Sequence, residues 1–372
     1  MSNPTSYDPF LRGPHPVGVV THEWTDESRE RTLPVEVWFP AVAAHAGQDL
    51  DPEFQDRFQP MPMAPATQQA AVRDAGPVED VHPLVIFSHG FGGERRQTTH
   101  LCTHLASHGY VVASMDHVGN TTADMLAQSM ATQTGGQVVT DPAEALIGFA
   151  EARPADASFV IDRMLAGHGG ARVDSDRVGM TGHSFGGWTT LQTTGQDSRI
   201  RAALPLAPAG GRAALALSEG GDDVFAEQLN LDWGREVPTL FLVADHDTLL
   251  PLDGMRELIE RTPEPKRAVV LLNSDHFHFC DGVEQTHDLF KQMGPLISPA
   301  GAESGIDTQA IFAAMKSSGE LCPGEKAETW IQGLGLAHMD AHVRGFEAAA
   351  ELIDGDLTAL MKRRGVEVEV IA

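Results

Sequence analysis

Short, almost wholly apolar runs recur along this chain, separated by longer amphipathic or polar stretches. Residues 33–39 alternate as a strand does, with Pro40 ending the run, and residues 15–20 add an edge strand. The runs at 84–88, 110–114, 177–181, 200–206, 238–244 and 268–272 are short and apolar on both faces, the pattern of strands buried in a parallel sheet. Helical periodicity lies between them, at 97–108 (stopped by Gly109), 155–166 (entered after Pro154), 187–194 and 255–261. A long terminal helix is expected over 345–360. The alternation at 366–371 suits a last strand at a sheet edge. Strand and helix in turn predict an α/β fold, a mostly parallel central sheet flanked by helices on both faces. In such sheets function gathers at the carboxyl ends of the strands.

Three stretches break the rhythm. Residues 41–82 are rich in Ala, Pro, Gln and Met and read as an irregular excursion. Residues 207–233 and 281–325 read as insertions over the site that form a partial cap, within one domain spanning 1–372.

Composition narrows the function classes. Asp and Glu number 52 against 26 Lys and Arg, a net charge of −26. Such a surface repels nucleic acid and anionic membranes. Adaptation to high salt and an ordinary acidic proteome explain it equally well. No run is apolar enough to span a bilayer, so no stable membrane insertion is expected. Residues 1–11 lack the basic start and apolar core of a secretory leader, so the sequence as it stands reads as cytoplasmic, or as secreted if a leader was removed. The three cysteines, Cys102, Cys280 and Cys322, form no framework. A Cys280–Cys322 bridge is a secondary option.

The sharpest local signal is Gly182-His183-Ser184-Phe185-Gly186, set between a strand run and a helix run. A serine between glycines in that context is a nucleophile elbow, the turn of α/β-hydrolases that lifts a hydroxyl over the end of the sheet. A serine hydroxyl needs a base to take its proton, and the order in this fold is Ser, acid, His. His276 follows the strand at 268–272 and is the base candidate, with His278 as a near competitor. The acid should follow the strand at 238–244, where both Asp245 and Asp247 stand, and chemistry alone does not choose between them. The oxyanion hole calls for two backbone amides, from Phe185 after the nucleophile and from Phe91 in His89-Gly90-Phe91-Gly92-Gly93. Asp116 fixes the oxyanion loop. Phe91, Trp188, Phe277 and Phe279 are the candidate walls of the substrate pocket. No metal or organic cofactor is required.

On these residues the chain resembles the platelet-activating-factor acetylhydrolase family of α/β-hydrolases, the plasma type and its microbial relatives. The resemblance is closest at 85–92, 105–113 and 182–187, and extends to 274–279. The plasma enzymes take their acid near the position of Ala207, where this chain has no carboxylate. The stretch 237–248 is instead similar to bacterial cutinases and polyester hydrolases, whose catalytic aspartate matches Asp247. That second resemblance favours Asp247 over Asp245.

The expected activity is serine carboxylic-ester hydrolysis through an acyl-enzyme, on short-chain or small aromatic esters, with polyester as a further candidate substrate. The alternatives are phospholipid acetylhydrolase action, then amidase or peptidase action, then a non-catalytic binding protein on the same scaffold. A metal-dependent hydrolase built on His338, Asp340 and His342 is a further reading, although their order matches no recognised metalloprotease signature. Oligomeric state is not encoded in any pattern here.

Overall fold

The apolar runs pair into one sheet because each has a greasy side chain on both faces. The computed structural model describes residues 7–60, 65–133, 142–211, 224–297 and 308–371. The strands are β1 (Val17–Asp26), β2 (Arg31–Pro40), β3 (Asp56–Phe58), β4 (Thr67–Gln69), β5 (Val72–Arg73), β6 (Val81–Ser88), β7 (Val111–Met115), β8 (Arg172–His183), β9 (Ile200–Leu206), β10 (Thr239–Ala244), β11 (Lys266–Leu271) and β12 (Val368–Ile371). Ten of them form a single sheet in the order β12-β11-β10-β9-β8-β6-β7-β2-β1-β5, and β3 and β4 pair separately. The central strands from β7 to β11 run parallel, while the β1–β2 hairpin and β12 join antiparallel. This is the α/β-hydrolase fold. The segment 41–82 contributes β3, β4 and β5, the last lying beside β1.

Alternation along β6 shows how the two layers are served. Val85 and Phe87 face one core with Leu101, Leu105 and Trp330, while Leu84 and Ile86 face the other with Val160, Ile161 and Met164. The helices are α1 (Thr99–Ser107), α2 (Thr122–Gln133), α3 (Pro142–Leu165), α4 (Phe185–Gln196), α5 (Val224–Gln228), α6 (Leu252–Arg261), α7 (Val283–Ile297), α8 (Thr308–Ala314), α9 (Gly324–Met339), α10 (Glu347–Asp354) and α11 (Leu357–Arg363). None among the described residues is long and apolar enough to cross a membrane.

Two sequence expectations fail for physical reasons. The helix expected from residue 155 starts at Pro142 and runs through Pro154. An interior proline costs about 3 kcal/mol, but Leu146 and Ala150 on one side of it and Ala157, Val160 and Met164 on the other are all buried. Burial on both sides outweighs the missing hydrogen bond. The long terminal helix is two helices, because Gly355 adopts an extended conformation and Asp356 caps α11 by accepting from Ala359 N at 2.9 Å. Helix α9 carries no strong sequence signal because glycines interrupt it. Gly333 is needed there, since a Cβ would sit 2.0 Å from the Phe10 ring. Of the two proposed insertions, 212–223 and 298–307 lie outside the described residues.

Candidate active site

The loops after β6, β8, β10 and β11 meet at the carboxyl edge of the sheet. Ser184 sits between β8 and α4 with φ 57° and ψ −117°, a conformation that L residues rarely adopt. The turn closes only because its flanks lack side chains. A Cβ on Gly186 would lie 1.8 Å from Ser88 O, and one on Gly182 2.4 Å from Gly186 O. Ser184 N donates to Leu206 O at 2.9 Å, and Ser184 O accepts from Trp188 N and Ala209 N. Its residue is half-buried, and its hydroxyl has no hydrogen-bond partner among the described residues.

Asp247 and His276 come together from two different loops. His276 Nδ1 lies 2.8 Å from Asp247 Oδ2, and Asp247 Oδ1 accepts from Leu249 N at 3.0 Å and Leu250 N at 2.7 Å. An ionised carboxylate held by two amides accepts from the imidazole, so Nδ1 carries the proton and Nε2 is the free lone pair. Asp275 clips the two loops together, accepting from His276 N, Thr248 N and Thr248 Oγ1 at 2.6–2.7 Å. Asp245 is not part of this contact; its Oδ1 accepts from Ser274 N at 3.0 Å. His278 is likewise committed elsewhere. Its Nε2 donates to Cys322 O at 2.9 Å while Nδ1 accepts from Asp275 N.

A hydrogen-bonded chain, invisible in the sequence, spans the site. Gly90 N donates to Gln97 Oε1 at 2.9 Å, and Gln97 Nε2 donates to His183 Nδ1 at 2.7 Å. His183 Nε2 donates to His276 O at 3.0 Å. The residue before Ser184 therefore ties the Gly90 loop to the His276 loop. Burial, with His276 adding to it, holds the His183 pKa well below the usual histidine range, so the neutral tautomer this chain requires persists. Among the described residues neither Phe91 N nor Phe185 N donates to a protein acceptor. The Phe91 ring is 40% exposed and lies 6.5 Å from that of Phe185 and 6.3 Å from that of Phe149.

Trp188 and Phe279, expected as pocket walls, are sealed in the core. Trp188 donates to Phe225 O at 2.7 Å, and Phe279 stacks on His183 and packs at a tilt against Trp330. Helical spacing carries Trp188 one turn past Ser184 and down onto the sheet. Phe277 is half-buried against Phe290. Asp116 braces the loop after β6 by accepting from Arg95 N at 2.7 Å and by pairing with the Arg95 guanidinium. The cysteines are free. His338 and Asp340 point to different partners, Ala203 O for the first and the hydroxyls of Tyr7 and Tyr110 for the second.

A second serine–histidine–aspartate arrangement of triad type lies beneath this edge. Ser88 Oγ is 2.9 Å from His117 Nε2, and His117 Nδ1 is 3.1 Å from Asp156 Oδ2. Asp156 also pairs with Arg29 and Arg31 at 2.7 and 2.9 Å. Burial alone would raise the Asp156 pKa, but hydrogen bonds from His117 and Arg31 outweigh it and hold the carboxyl near 2. Burial, then the charge of Arg153, push His117 down to about 4. Ser88, His117 and Asp156 are all buried, to 1% exposure or less. No sequence motif announced this arrangement.

The model of "Platelet-activating factor acetylhydrolase, isoform II" matches residues 61–144, a stretch that holds Phe91 and Ser88 but none of Ser184, Asp247 or His276. A platelet-activating factor acetylhydrolase of Cavia porcellus is 27% identical over 61% of this chain and 54% of its own length. Cutinase 2 of Thermobifida cellulosilytica is 30% identical over 46% of this chain and 51% of its own. The chain thus spans about half the length of these curated relatives. The solved ferulic acid esterase of Streptomyces cinnamoneus superposes with a TM-score of 0.63 over 96% of this chain and 97% of that one, at 23% identity, a likeness of fold. These similarities relate the chain, at the level of family, to the platelet-activating-factor acetylhydrolases and cutinases among the α/β-hydrolases.

Proposed function

We propose that this protein is a serine carboxylic-ester hydrolase in which Ser184 is the nucleophile, His276 the base and Asp247 the group that orients it. The observation that carries the reading is the 2.8 Å contact between His276 Nδ1 and Asp247 Oδ2 beside a serine held at positive φ. In this mechanism Ser184 Oγ attacks the ester carbonyl while His276 Nε2 takes its proton. Asp247 stabilises the imidazolium that forms. The amides of Phe91 and Phe185 receive the developing oxyanion. His276 returns the proton to the leaving alcohol, and water then repeats both steps on the acyl-enzyme. In this structure Ser184 and His276 are not yet hydrogen-bonded. Catalytic contacts of this kind commonly tighten only around substrate.

Exposure favours Ser184 over Ser88. Ser88 is sealed, so no ester carbonyl reaches it, whereas Ser184 is half-buried beside the exposed Phe91 ring. That ring supplies an apolar surface for a small acyl group, which supports short-chain or small aromatic esters. The names of the relatives add acetylated phospholipids and polyesters as further substrate classes. Treatment with an organophosphonate should add one phosphonyl mass, located on Ser184 by peptide mapping; a label on any other residue, or none, rejects the assignment. Rates on p-nitrophenyl esters from acetate to palmitate should fall with chain length. A flat profile argues against the small acyl pocket.

A further inference from the structure

Arg153, beside the proposed oxyanion hole, is fully buried at 1% exposure, and the mechanism above gives it no role. No carboxylate among the described residues lies within salt-bridge distance of it. Its donors go to main-chain carbonyls instead: Nη1 to His89 O at 2.7 Å and Nη2 to Gly90 O at 3.1 Å. Nη2 also bonds Asn120 Oδ1, and the guanidinium lies over the Phe185 ring, 4.1 Å from its centroid. Burying a cation with only carbonyls and a ring face to receive it is costly, so the position invites a functional account.

The peptide unit that Arg153 holds is the one that matters. Gly90 C=O and Phe91 N–H belong to the same planar trans peptide, so they point in opposite directions. Gly90 O receives Arg153 Nη2, Gly93 N at 3.1 Å and His89 Nδ1 at 2.7 Å. The His89 contact is a donation, because His89 Nε2 already accepts from His117 N at 3.0 Å, which leaves the proton on Nδ1. Three donors on the carbonyl fix the plane and aim the amide away from Arg153. A cation on the carbonyl end also polarises the amide and makes its N–H a stronger donor. Gly90 itself lies against the elbow, since a Cβ there would lie 3.4 Å from Ser184 Cβ.

Resting on the ester-hydrolase reading, we infer that Arg153 is a positioning residue of the oxyanion hole: it locks and polarises the Gly90–Phe91 peptide and holds the ring of Phe185, the second donor residue. Burial lowers its pKa to about 9, partly offset by Asp156, so the guanidinium stays charged at neutral pH.

The test compares wild type, Arg153→Met, Arg153→Lys and Ser184→Ala in the full chain. It reads kcat and KM on p-nitrophenyl butyrate and Ki for an alkyl trifluoromethyl ketone, whose serine adduct places an oxyanion in the hole. Arg153→Met should lower kcat about 100-fold with KM within about threefold, and raise Ki in parallel. Arg153→Lys, which keeps the charge and loses the fork, should fall between. A merely structural arginine would change the folded fraction, and so the active-site titre, without moving Ki per active site. If Arg153→Met does not fold, Arg153→Lys decides by the same two readings. Wild-type kcat, or a lowered kcat with unchanged Ki, in the folded variant overturns the Arg153 assignment alone. A fully active Ser184→Ala overturns both that assignment and the reading beneath it.

Discussion

Two serine–histidine–aspartate constellations stand close together in this molecule, and they differ in what surrounds the connectivity. In the buried one every bond is made: Ser88 to His117, His117 to Asp156, and Asp156 to two arginines. In the one at the sheet edge His276 and Asp247 are joined, and the serine hydroxyl has no partner among the described residues. A base must accept a proton, and the surroundings of His117 oppose that. Burial and the nearby Arg153 disfavour its imidazolium, and the hydrogen bond and charge of Asp156 offset them only in part. Ser88 ends an ordinary strand, and its hydroxyl points inward. Ser184 is lifted out by a strained turn. Chain connectivity of triad type is therefore compatible with a structural strut. A reactive serine also needs exposure, backbone strain and open amides.

The sharpest way to break this comparison is to remove the edge serine. Ser184→Ala should lower kcat on a simple ester by about 10⁴-fold or more, leaving the thermal midpoint within a few degrees, because the hydroxyl has no partner among the described residues to lose. Steady-state turnover of the purified variant checks this, and a variant retaining a tenth of wild-type kcat would transfer the chemistry elsewhere.

Asp247→Asn is the next largest effect. The amide would donate to His276 Nδ1 or leave it unpaired, so the imidazole would hold its proton on the wrong nitrogen. A loss of about 10³-fold in kcat is expected, with KM little changed. Asp245→Asn serves as the control and should stay within about threefold, since Asp245 bonds Ser274 N instead. Reversal of the two results would reassign the acid.

Legibility in the sequence followed how local each constraint was. The elbow was readable because its requirement is steric and spans five residues: the glycines flanking Ser184 would collide with Ser88 O and with one another. The acid is ambiguous on chemistry alone because Asp245 and Asp247 share a loop; the resemblance at 237–248 favours Asp247, and the positions of Ser274 and His276 in space separate the two. Arg153 escapes the sequence pattern because the helix expected from residue 155 begins at Pro142, and the buried relay escapes it because Ser88, His117 and Asp156 stand on separate elements that only the fold brings together. A signal existed. Leu146, Ala150, Arg153, Ala157, Val160 and Met164 recur three or four residues apart, which places an arginine on an apolar stripe. Pro154 hid it.

Acid should weaken the buried strut. His117 is held near 4, below the ordinary 6.5, by burial and by Arg153. Between those values the unfolded chain takes up a proton that the folded protein refuses. Stability is therefore complete above about pH 6.5 and is lost as pH falls toward 4. The displacement corresponds to about 3 kcal/mol. His100, His104 and His338, each buried and pushed to about 3, act in the same direction. Urea midpoints at pH 7, 6 and 5 should fall steadily, and His117→Asn should show a shallower fall than wild type. An identical pH slope in that variant would mean that His117 titrates normally.

The smallest effect is the one that most directly separates the two serines. Ser88→Ala removes a buried donor and leaves His117 Nε2 without a partner, in a place water does not reach. A buried acceptor left unsatisfied costs about 1–3 kcal/mol, and the lost oxygen leaves little cavity, so destabilisation of about that size is expected from urea unfolding. Turnover should stay within about twofold, because Ser88 O, the atom packed against the elbow glycines, is main chain and remains in place. Phosphonate labelling of Ser184 should be unchanged. If Ser88→Ala instead lost activity by orders of magnitude while remaining folded, the buried serine would be taking part in the reaction, and exposure would have been the wrong criterion for choosing between the two.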